Sequence, residues 1–240
     1  MKKGILLVLL GFGSLIAGPC TSAPLSTYTA TGFSCNLDIF TFKGFFFGVV
    51  SSSSGYAPLA ASSITVGPTL TQTANGNVLG LGFSSTGFSV TGSEFVTYDI
   101  RYNIDPPPDI IIETEDRLST NTPVAPGLVD ILTNVCVGGN WIIGASATCD
   151  SRAGARLLHV FHNGTPVVPG GIQLFDSTTF PGVHLLGLDN FITLRANGAS
   201  SSFTGLTNNA STAAPEPAAM ALVLSGLALM AVRRLRAKVR

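Results

Sequence analysis

Few residues in this 240-residue sequence have the type and spacing that catalysis requires. Glu113 and Glu115 are two apart, so on a strand they share one face at a separation of about 7 Å. Two carboxyl groups on one face can hydrolyse glycosidic bonds if an apolar pocket raises the pKa of one of them. The sequence shows no such pocket, and a solvated strand end is the simpler interpretation. A secreted hydrolase therefore remains a minor alternative.

The histidines do not predict a metal site. His159 and His162 are three residues apart, which directs them to opposite faces of a strand, and we expect both to be surface side chains near a turn. No histidine lies within four residues of a cysteine, and no C-x-x-C pair, nucleophile elbow or phosphate-binding loop occurs. We therefore predict no metal, no cofactor and no enzymatic activity.

The body of the sequence is acidic. Between residues 24 and 214 there are six Lys or Arg and twelve Asp or Glu residues, a net charge of −6. Nucleic-acid binding needs clustered Lys and Arg, so we exclude nucleic acid as a partner. Asp99, Asp105 and Asp109 surround three consecutive prolines and could supply oxygen ligands to calcium, but no EF-hand pattern supports such a site.

The aromatic residue of most interest is the single tryptophan, Trp141, which follows the turn residues Gly138-Gly139-Asn140. Sandwich proteins that bind sugars present exposed rings as stacking platforms, so Trp141 is the candidate ligand platform. Tyr28 and Tyr56 lie in loop-like segments and are secondary candidates. The alternative interpretation is that Trp141 closes the core.

Alternation with period two dominates the body. From Val96 to Ile104 the even positions are apolar or aromatic and the odd positions are polar, which predicts a strand with one buried and one solvated face. Shorter segments repeat the pattern between turns rich in Gly and Asn. About ten such strands in some 175 residues predict an all-β fold, a single antiparallel β-sandwich with a barrel-like arrangement as the alternative.

The predicted sandwich covers residues 24–206. The prolines at 106–108 are interpreted as a stiff crossover between its two halves, because proline cannot occupy a central strand. The polar segment 207–214 is interpreted as a flexible stalk.

The candidate disulfide cysteines are Cys35, Cys136 and Cys149. Cys20 lies in the segment that we expect to be removed, which would leave three cysteines and one of them without an intrachain partner. A bond between Cys136 and Cys149 requires the chain after Gly144 to fold back. A bond between Cys35 and Cys136 is the alternative.

Both ends of the sequence carry targeting features. Residues 1–23 begin with two lysines, continue as a short apolar run and end in small residues, the three parts of a secretory signal peptide. At the other end, Pro215, Glu216 and Pro217 precede an apolar segment at 218–232. The basic tail that follows starts with Arg233 and Arg234, and residues 218–232 are predicted to form a short transmembrane helix with this tail in the cytoplasm.

The C-terminal segment 215–240 resembles the PEP-CTERM sorting signal of exported bacterial proteins. The resemblance covers the Pro-Glu-Pro triplet, the apolar helix and the Arg-rich tail, in that order. It implies that an exosortase and the secretion machinery are partners, that the membrane holds the precursor through its C-terminal helix, and that the tail is removed near the triplet. A plain single-pass anchor is the alternative.

These features predict an exported protein of the cell surface or extracellular matrix, with a non-enzymatic structural or adhesive role. The alternative function is a carbohydrate-binding module for the host's exopolysaccharide.

Overall fold

The computed structural model describes residues 17–73, 76–105, 111–119, 127–142, 148–151, 154–163 and 171–212. Within these ranges the chain forms eighteen strands, one turn of α-helix, α1 (Leu25–Tyr28), and one 3₁₀ turn (Ala61–Ser63). The predicted all-β fold is confirmed. The predicted proline crossover at 106–108 lies outside the described residues.

The strands are β1 (Gly18–Pro19), β2 (Ala23–Pro24), β3 (Ser34–Leu37), β4 (Phe40–Ser52), β5 (Thr65–Thr73), β6 (Gly76–Ser84), β7 (Ser89–Gly92), β8 (Phe95–Asp105), β9 (Ile111–Ser119), β10 (Leu128–Val137), β11 (Trp141–Ile142), β12 (Thr148–Cys149), β13 (Ala155–Asn163), β14 (Ile172–Gln173), β15 (Phe175–Val183), β16 (Leu186–Arg195), β17 (Ala199–Ser202) and β18 (Gly205–Thr212).

Two large sheets carry the fold. The first sheet has the order β1-β3-β4-β8-β16-β10-β13-β14, and the second has the order β15-β9-β18-β6-β5-β2. Two short ribbons, β11-β12 and β17-β7, accompany them. The described pairings are antiparallel except the one between β1 and β3. The two sheets stack in a sandwich-like way, since the rings of Phe83 on β6 and Tyr102 on β8 lie 5.8 Å apart.

The core lies between the two sheets. The even residues of β8, from Val96 to Ile104, are fully buried, which confirms the apolar face that the alternation predicts. Apolar residues of β16, β10 and β6 are buried with them, because removing such side chains from water is the main favourable contribution to folding.

A buried polar network crosses this core. The Tyr102 hydroxyl donates to Asn208 Oδ1 at 3.1 Å, and Asn208 Nδ2 donates to Asp116 Oδ1 at 2.7 Å and to Asn190 Oδ1 at 3.0 Å. Thr133 Oγ1 donates to the same Asn190 oxygen at 2.8 Å. Hydrogen bonds between the sheets favour one alignment of the two layers, because a shifted layer would leave buried polar groups without partners.

Asp116 makes stability depend on pH. Burial raises its pKa from 3.8 to about 7, and hydrogen bonds from its neighbours oppose the shift only in part. The stabilisation of the neutral carboxyl is present below pH 3.8 and is lost as the pH rises through about 7. We expect Asp116→Asn to flatten the fall in unfolding free energy between about pH 4 and pH 7. Urea unfolding at several pH values measures this dependence, and Glu113→Gln on the opposite face of β9 is the control. If the unfolding free energy of Asp116→Asn falls with pH as steeply as that of the wild type, the prediction is contradicted.

The predicted stalk is wrong for residues 207–212. These residues belong to β18, which lies between β9 and β6 inside the second sheet. Their polar side chains face the buried network or the neighbouring strands, where Asn209 Nδ2 donates to Glu115 Oε1 at 2.8 Å. Residues 213 and 214 lie outside the described residues.

The segment before Pro24 takes part in the fold. β1 pairs with β3, β2 pairs with β5, and Cys20 forms a disulfide with Cys35. A signal peptide that ended between Cys20 and Ala23 would remove β1 and deprive Cys35 of its partner. Residues 1–16 lie outside the described residues.

The C-terminal targeting features also lie outside the described residues, including Pro215, Glu216, Pro217, the apolar segment 218–232, Arg233 and Arg234. Within the ranges that the structure covers, the chain contains no helix with the length and apolar character to cross a membrane.

Candidate functional site

The outer face of the first sheet, which points away from the core, carries the candidate site. The register aligns β4, β8, β16 and β10 so that distant parts of the chain meet there. Two adjacent cross-strand rows result. One contains Phe46, Arg101, Asp189 and Asn134, and the other contains Gly48, Asp99, Phe191 and Leu132.

The expectation of a solvated polar face on β8 is wrong for three of its residues. Asp99, Arg101 and Asn103 are 3%, 7% and 6% exposed. They are buried because the Phe46 ring lies over Arg101 and the backbone of Trp141 lies against Asn103. The alternation locates the polar face correctly, but the residues that cover this face come from other strands and loops.

Arg101 binds two carboxyl groups at the centre of the face. Its Nε donates to Asp99 Oδ1 at 2.9 Å and to Asp189 Oδ1 at 3.1 Å, and its Nη2 donates to Asp99 Oδ2. The guanidinium carbon lies 4.9 Å from the centre of the Phe46 ring. Among the described residues, the buried Arg101 Nη1 has no hydrogen-bond partner.

Burial shifts the pKa of one carboxyl group in this cluster, that of Asp189. Burial and, to a smaller extent, the neighbouring Asp99 carboxyl raise the pKa of Asp189, Arg101 opposes both effects, and the net result is a pKa of about 7 instead of 3.8. One guanidinium therefore does not fully compensate two buried carboxylates. Buried charges cost free energy unless they are fully paired, and such clusters are concentrated at binding and catalytic sites.

The charged cluster forms the floor of an open groove of about 740 Å³. This volume lies in the range of sites that bind small molecules. The half-buried rings of Phe46 and Phe191 and the exposed side chains of Val49 and Val50 form its apolar walls. Rings beside hydrogen-bonding groups suit a ligand that has both an apolar face and polar substituents.

Trp141 forms one side of the groove. Its backbone N–H donates to Asn103 Oδ1 at 2.8 Å, and its indole N–H donates to the carbonyl of Asn134 at 3.2 Å. The glycine at position 187 makes this contact sterically feasible, because a Cβ atom there would lie 2.8 Å from Trp141 N. Trp141 is only 8% exposed. It therefore supports the wall of the groove, whereas Phe46 and Phe191 present the more open rings.

A disulfide holds the Trp141 segment against the sheet. Of the two pairings that the sequence leaves open, the structure has Cys136–Cys149, which joins β10 to β12. Cys35 pairs with Cys20 instead of Cys136. β11 and β12 pair with each other, and Asn140 N donates to Asp150 Oδ1 at 2.6 Å. These links fix the position of the groove wall.

Neither a family model nor a curated protein matches the chain. Among solved structures, the chain is similar to TmCBM61 in complex with beta-1,4-galactotriose. The identity is 6%, the match covers 70% of this chain and 83% of that chain, and the TM-score is 0.29. At that level, the likeness does not bear on what this chain binds.

The acidic pair predicted from the sequence lies elsewhere, on the outer face of the second sheet. Burial would raise the pKa of Glu115, but hydrogen bonds from Arg117 Nε at 2.9 Å and from Asn209 lower it on balance. A general acid for glycoside hydrolysis needs a raised pKa. Glu115 therefore lacks the environment of a general acid.

The histidines lie on opposite faces of β13, as the spacing predicts. His159 Nε2 lies 2.6 Å from Asp130 Oδ1 on the outer face. His162 is buried in the inner face, so its prediction as a surface side chain is wrong; burial lowers its pKa. These groups do not converge on a common ligand.

Of the three aspartates considered for calcium, the structure describes Asp99 and Asp105, and each of them binds a different cationic side chain. Asp99 binds Arg101, Asp105 accepts a hydrogen bond from Lys43 Nζ at 2.6 Å, and Asp109 lies outside the described residues. Within the described ranges, the structure contains no group of three or more His, Cys, Asp or Glu side chains placed to hold a metal ion.

Sequence reasoning missed Phe46, Asp189 and Phe191. A local signal exists for the latter two, because Asp189 and Phe191 alternate with buried residues on β16 and therefore share its outer face. No local signal places them beside Arg101, since that proximity depends on the pairing of β8 with β16.

Proposed function

We propose that this chain is an exported protein of the cell surface or extracellular matrix that binds carbohydrate in the groove on its first sheet. Its role is adhesive and non-enzymatic, and the carbohydrate is the host's exopolysaccharide. The observation that carries the proposal is the groove itself, in which aromatic walls flank a floor of buried, incompletely paired Asp99, Arg101 and Asp189.

Carbohydrates suit a groove that combines aromatic walls with a charged floor. A pyranose ring has apolar C–H faces that pack on aromatic rings, and its hydroxyl groups both donate and accept hydrogen bonds. Phe46 and Phe191 supply the rings, and Asp189, Arg101 and Asn134 supply polar atoms at the groove. The charged floor also lowers the stability of the fold, since a protein with buried ion pairs is often less stable than one with well-packed apolar side chains of the same volume. A binding role accounts for the buried charges on this face.

Export is supported by the two disulfides, Cys20–Cys35 and Cys136–Cys149. Disulfides persist in oxidising compartments and are rare in the cytosol. Because Cys20 and β1 belong to the fold, we propose that the signal peptide ends no later than Ala17.

Sorting by an exosortase is proposed from the resemblance of residues 215–240 to the PEP-CTERM signal. The precursor would be held in the membrane by residues 218–232 and released to the surface after cleavage near Glu216. We expect intact-mass analysis of the protein from the host's surface to show that Arg233 and Arg234 are absent, and that deletion of the exosortase restores them. A surface protein that retains Arg234 would contradict sorting and support a plain anchor.

The carbohydrate role is tested by a matched pair of variants. Phe46 and Phe175 are both accessible phenylalanines with an arginine over the ring, at 4.9 and 4.8 Å, but Phe175 lies on the second sheet. We expect Phe46→Ala to weaken retention on the host's exopolysaccharide by about tenfold, because truncating an aromatic anchor at a binding site costs on the order of 1–2 kcal/mol. Phe175→Ala should retain wild-type affinity. Equal effects of the two substitutions would contradict a specific groove.

A further inference from the structure

We propose that the groove binds its glycan through a protonated amine, so that its ligand is an amino sugar with a free ammonium group next to a hydroxyl. The inference rests on the carbohydrate-binding function proposed above and specifies the class of sugar. The charges on the floor, an unpartnered donor and the aromatic walls each support it.

The floor has an excess of negative charge. Arg101 is the one cationic residue among the described residues that line the groove, and both Asp99 and Asp189 bind to it. Two ionised carboxylates beside one guanidinium leave a net charge of −1 in a poorly solvated place. A ligand ammonium group would compensate that charge. A uronic acid or a sulfated sugar would add a further negative charge, so the groove disfavours acidic glycans.

In the protein without ligand, a proton on the Asp189 carboxyl partly compensates the excess negative charge of the floor. Burial, followed by the proximity of Asp99, raises the pKa of Asp189 to about 7, so its carboxyl is partly protonated near neutral pH. The titratable residues on the described lining are Asp99, Arg101 and Asp189. An ammonium group that donates to Asp189 replaces this proton, which leaves for solvent as the ligand binds.

Arg101 Nη1 supplies the second specific contact. This nitrogen is buried and has no partner among the described residues, a state that costs free energy. The half-buried Phe46 ring lies over the guanidinium, 4.9 Å from its carbon, and the proposal requires this ring to move so that a ligand oxygen can reach Nη1. The floor therefore contains a carboxylate whose charge is not fully compensated, Asp189, and a donor without a partner on the arginine that binds it, Arg101 Nη1. An ammonium group next to a hydroxyl is their chemical complement.

The aromatic walls favour a sugar over a protein side chain. Phe46 and Phe191 can pack on the C–H face of a pyranose and also attract a nearby ammonium group through their π-electrons. A lysine side chain would satisfy Asp189 but would carry no oxygen for Arg101 Nη1. The lining of the groove accordingly matches an amino sugar in charge, in hydrogen bonding and in its aromatic surface.

The test compares two oligosaccharides that differ only at the amine. The full chain after export is titrated near neutral pH with a β-1,4-linked glucosamine hexamer and with its fully N-acetylated counterpart, by calorimetry and by the emission of Trp141. We expect the glucosamine hexamer to bind at least about tenfold more tightly. Asp189→Asn should reduce the ratio to within about twofold, while Asp130→Asn on the same sheet face should leave it unchanged. Circular dichroism confirms that both variants fold.

The other outcomes separate the two proposals. Equal affinity for both hexamers, lost in Phe46→Ala, would overturn the amine preference and leave carbohydrate binding intact. No binding of either hexamer, with retention on the host's exopolysaccharide preserved, would also overturn the amine preference alone. If that retention is absent too, both proposals fail. Polylysine that competes as well as the glucosamine hexamer would show that the groove takes a protein ligand and would overturn the inference.

Discussion

Replacing Arg101 with methionine should lower the free energy of unfolding by about 3–5 kcal/mol at about pH 8, because Asp99 and Asp189 then remain buried without their positive partner. Methionine preserves most of the packing beneath Phe46, so the loss reports mainly on charge. At about pH 5 the Asp189 carboxyl is neutral, so the variant buries one uncompensated charge fewer and we expect the difference from wild type to shrink. Denaturant unfolding at both pH values measures the effect.

Asp189 sets the direction in which the stability cost of Arg101→Met changes with pH. Its pKa is raised in the folded state, so the stabilisation of its neutral form is lost as the pH rises through about 7, and removing Arg101 shifts that loss to higher pH. Arg117→Met is the matched control, since Arg117 also pairs with a carboxylate and stacks on a phenylalanine but is 59% exposed. It should cost less than about 1 kcal/mol. Equal costs for the two substitutions would show that the Arg101 cluster is not effectively buried.

The Cys136→Ser/Cys149→Ser double variant should lose about 3 kcal/mol of stability and also lose glycan binding. The bond closes a segment with a sequence separation of 13 and holds the wall of the groove against the sheet. Because Trp141 is the only tryptophan, its emission reports on that wall directly. We expect a shift of the emission to longer wavelength as the indole becomes solvated.

Cys20→Ser/Cys35→Ser provides the control for the disulfide experiment. It removes a bond of similar sequence separation, 15, that joins the segment after β1 to β3. We expect a comparable loss of stability with the Trp141 emission and the glycan affinity unchanged. If both double variants shift the emission equally, the Cys136–Cys149 bond does not act locally on the groove.

The sequence predicts the fold class well because alternation is a local property. In β8 the even residues are buried as expected, and the turns fall near Gly and Asn. The stalk prediction was wrong because composition alone cannot distinguish a solvated polar segment from a strand whose polar side chains are satisfied inside. Asn208 and Asn209 look like linker residues in the sequence, yet Asp116 and Glu115 accept their hydrogen bonds.

The site was harder to predict, since its parts are distant along the chain. Arg101 and Asp189 are 88 residues apart and meet only through the pairing of β8 with β16. The sequence singles out Trp141, which lines the groove, but its burial against Asn103 depends on the disulfide and on the glycine at position 187. Long-range register therefore creates the groove, and a single sequence does not reveal register.

The central question about this protein is whether its groove binds carbohydrate. The most direct measurement is a calorimetric titration of the surface-derived protein with exopolysaccharide purified from its own host, at physiological salt and with Trp141 emission recorded in parallel. We expect saturable binding with a change in Trp141 emission. Both should be abolished or strongly weakened in Phe46→Ala and unchanged in Phe175→Ala. Absence of saturable binding by a folded protein, or binding that is indifferent to Phe46, would contradict this expectation.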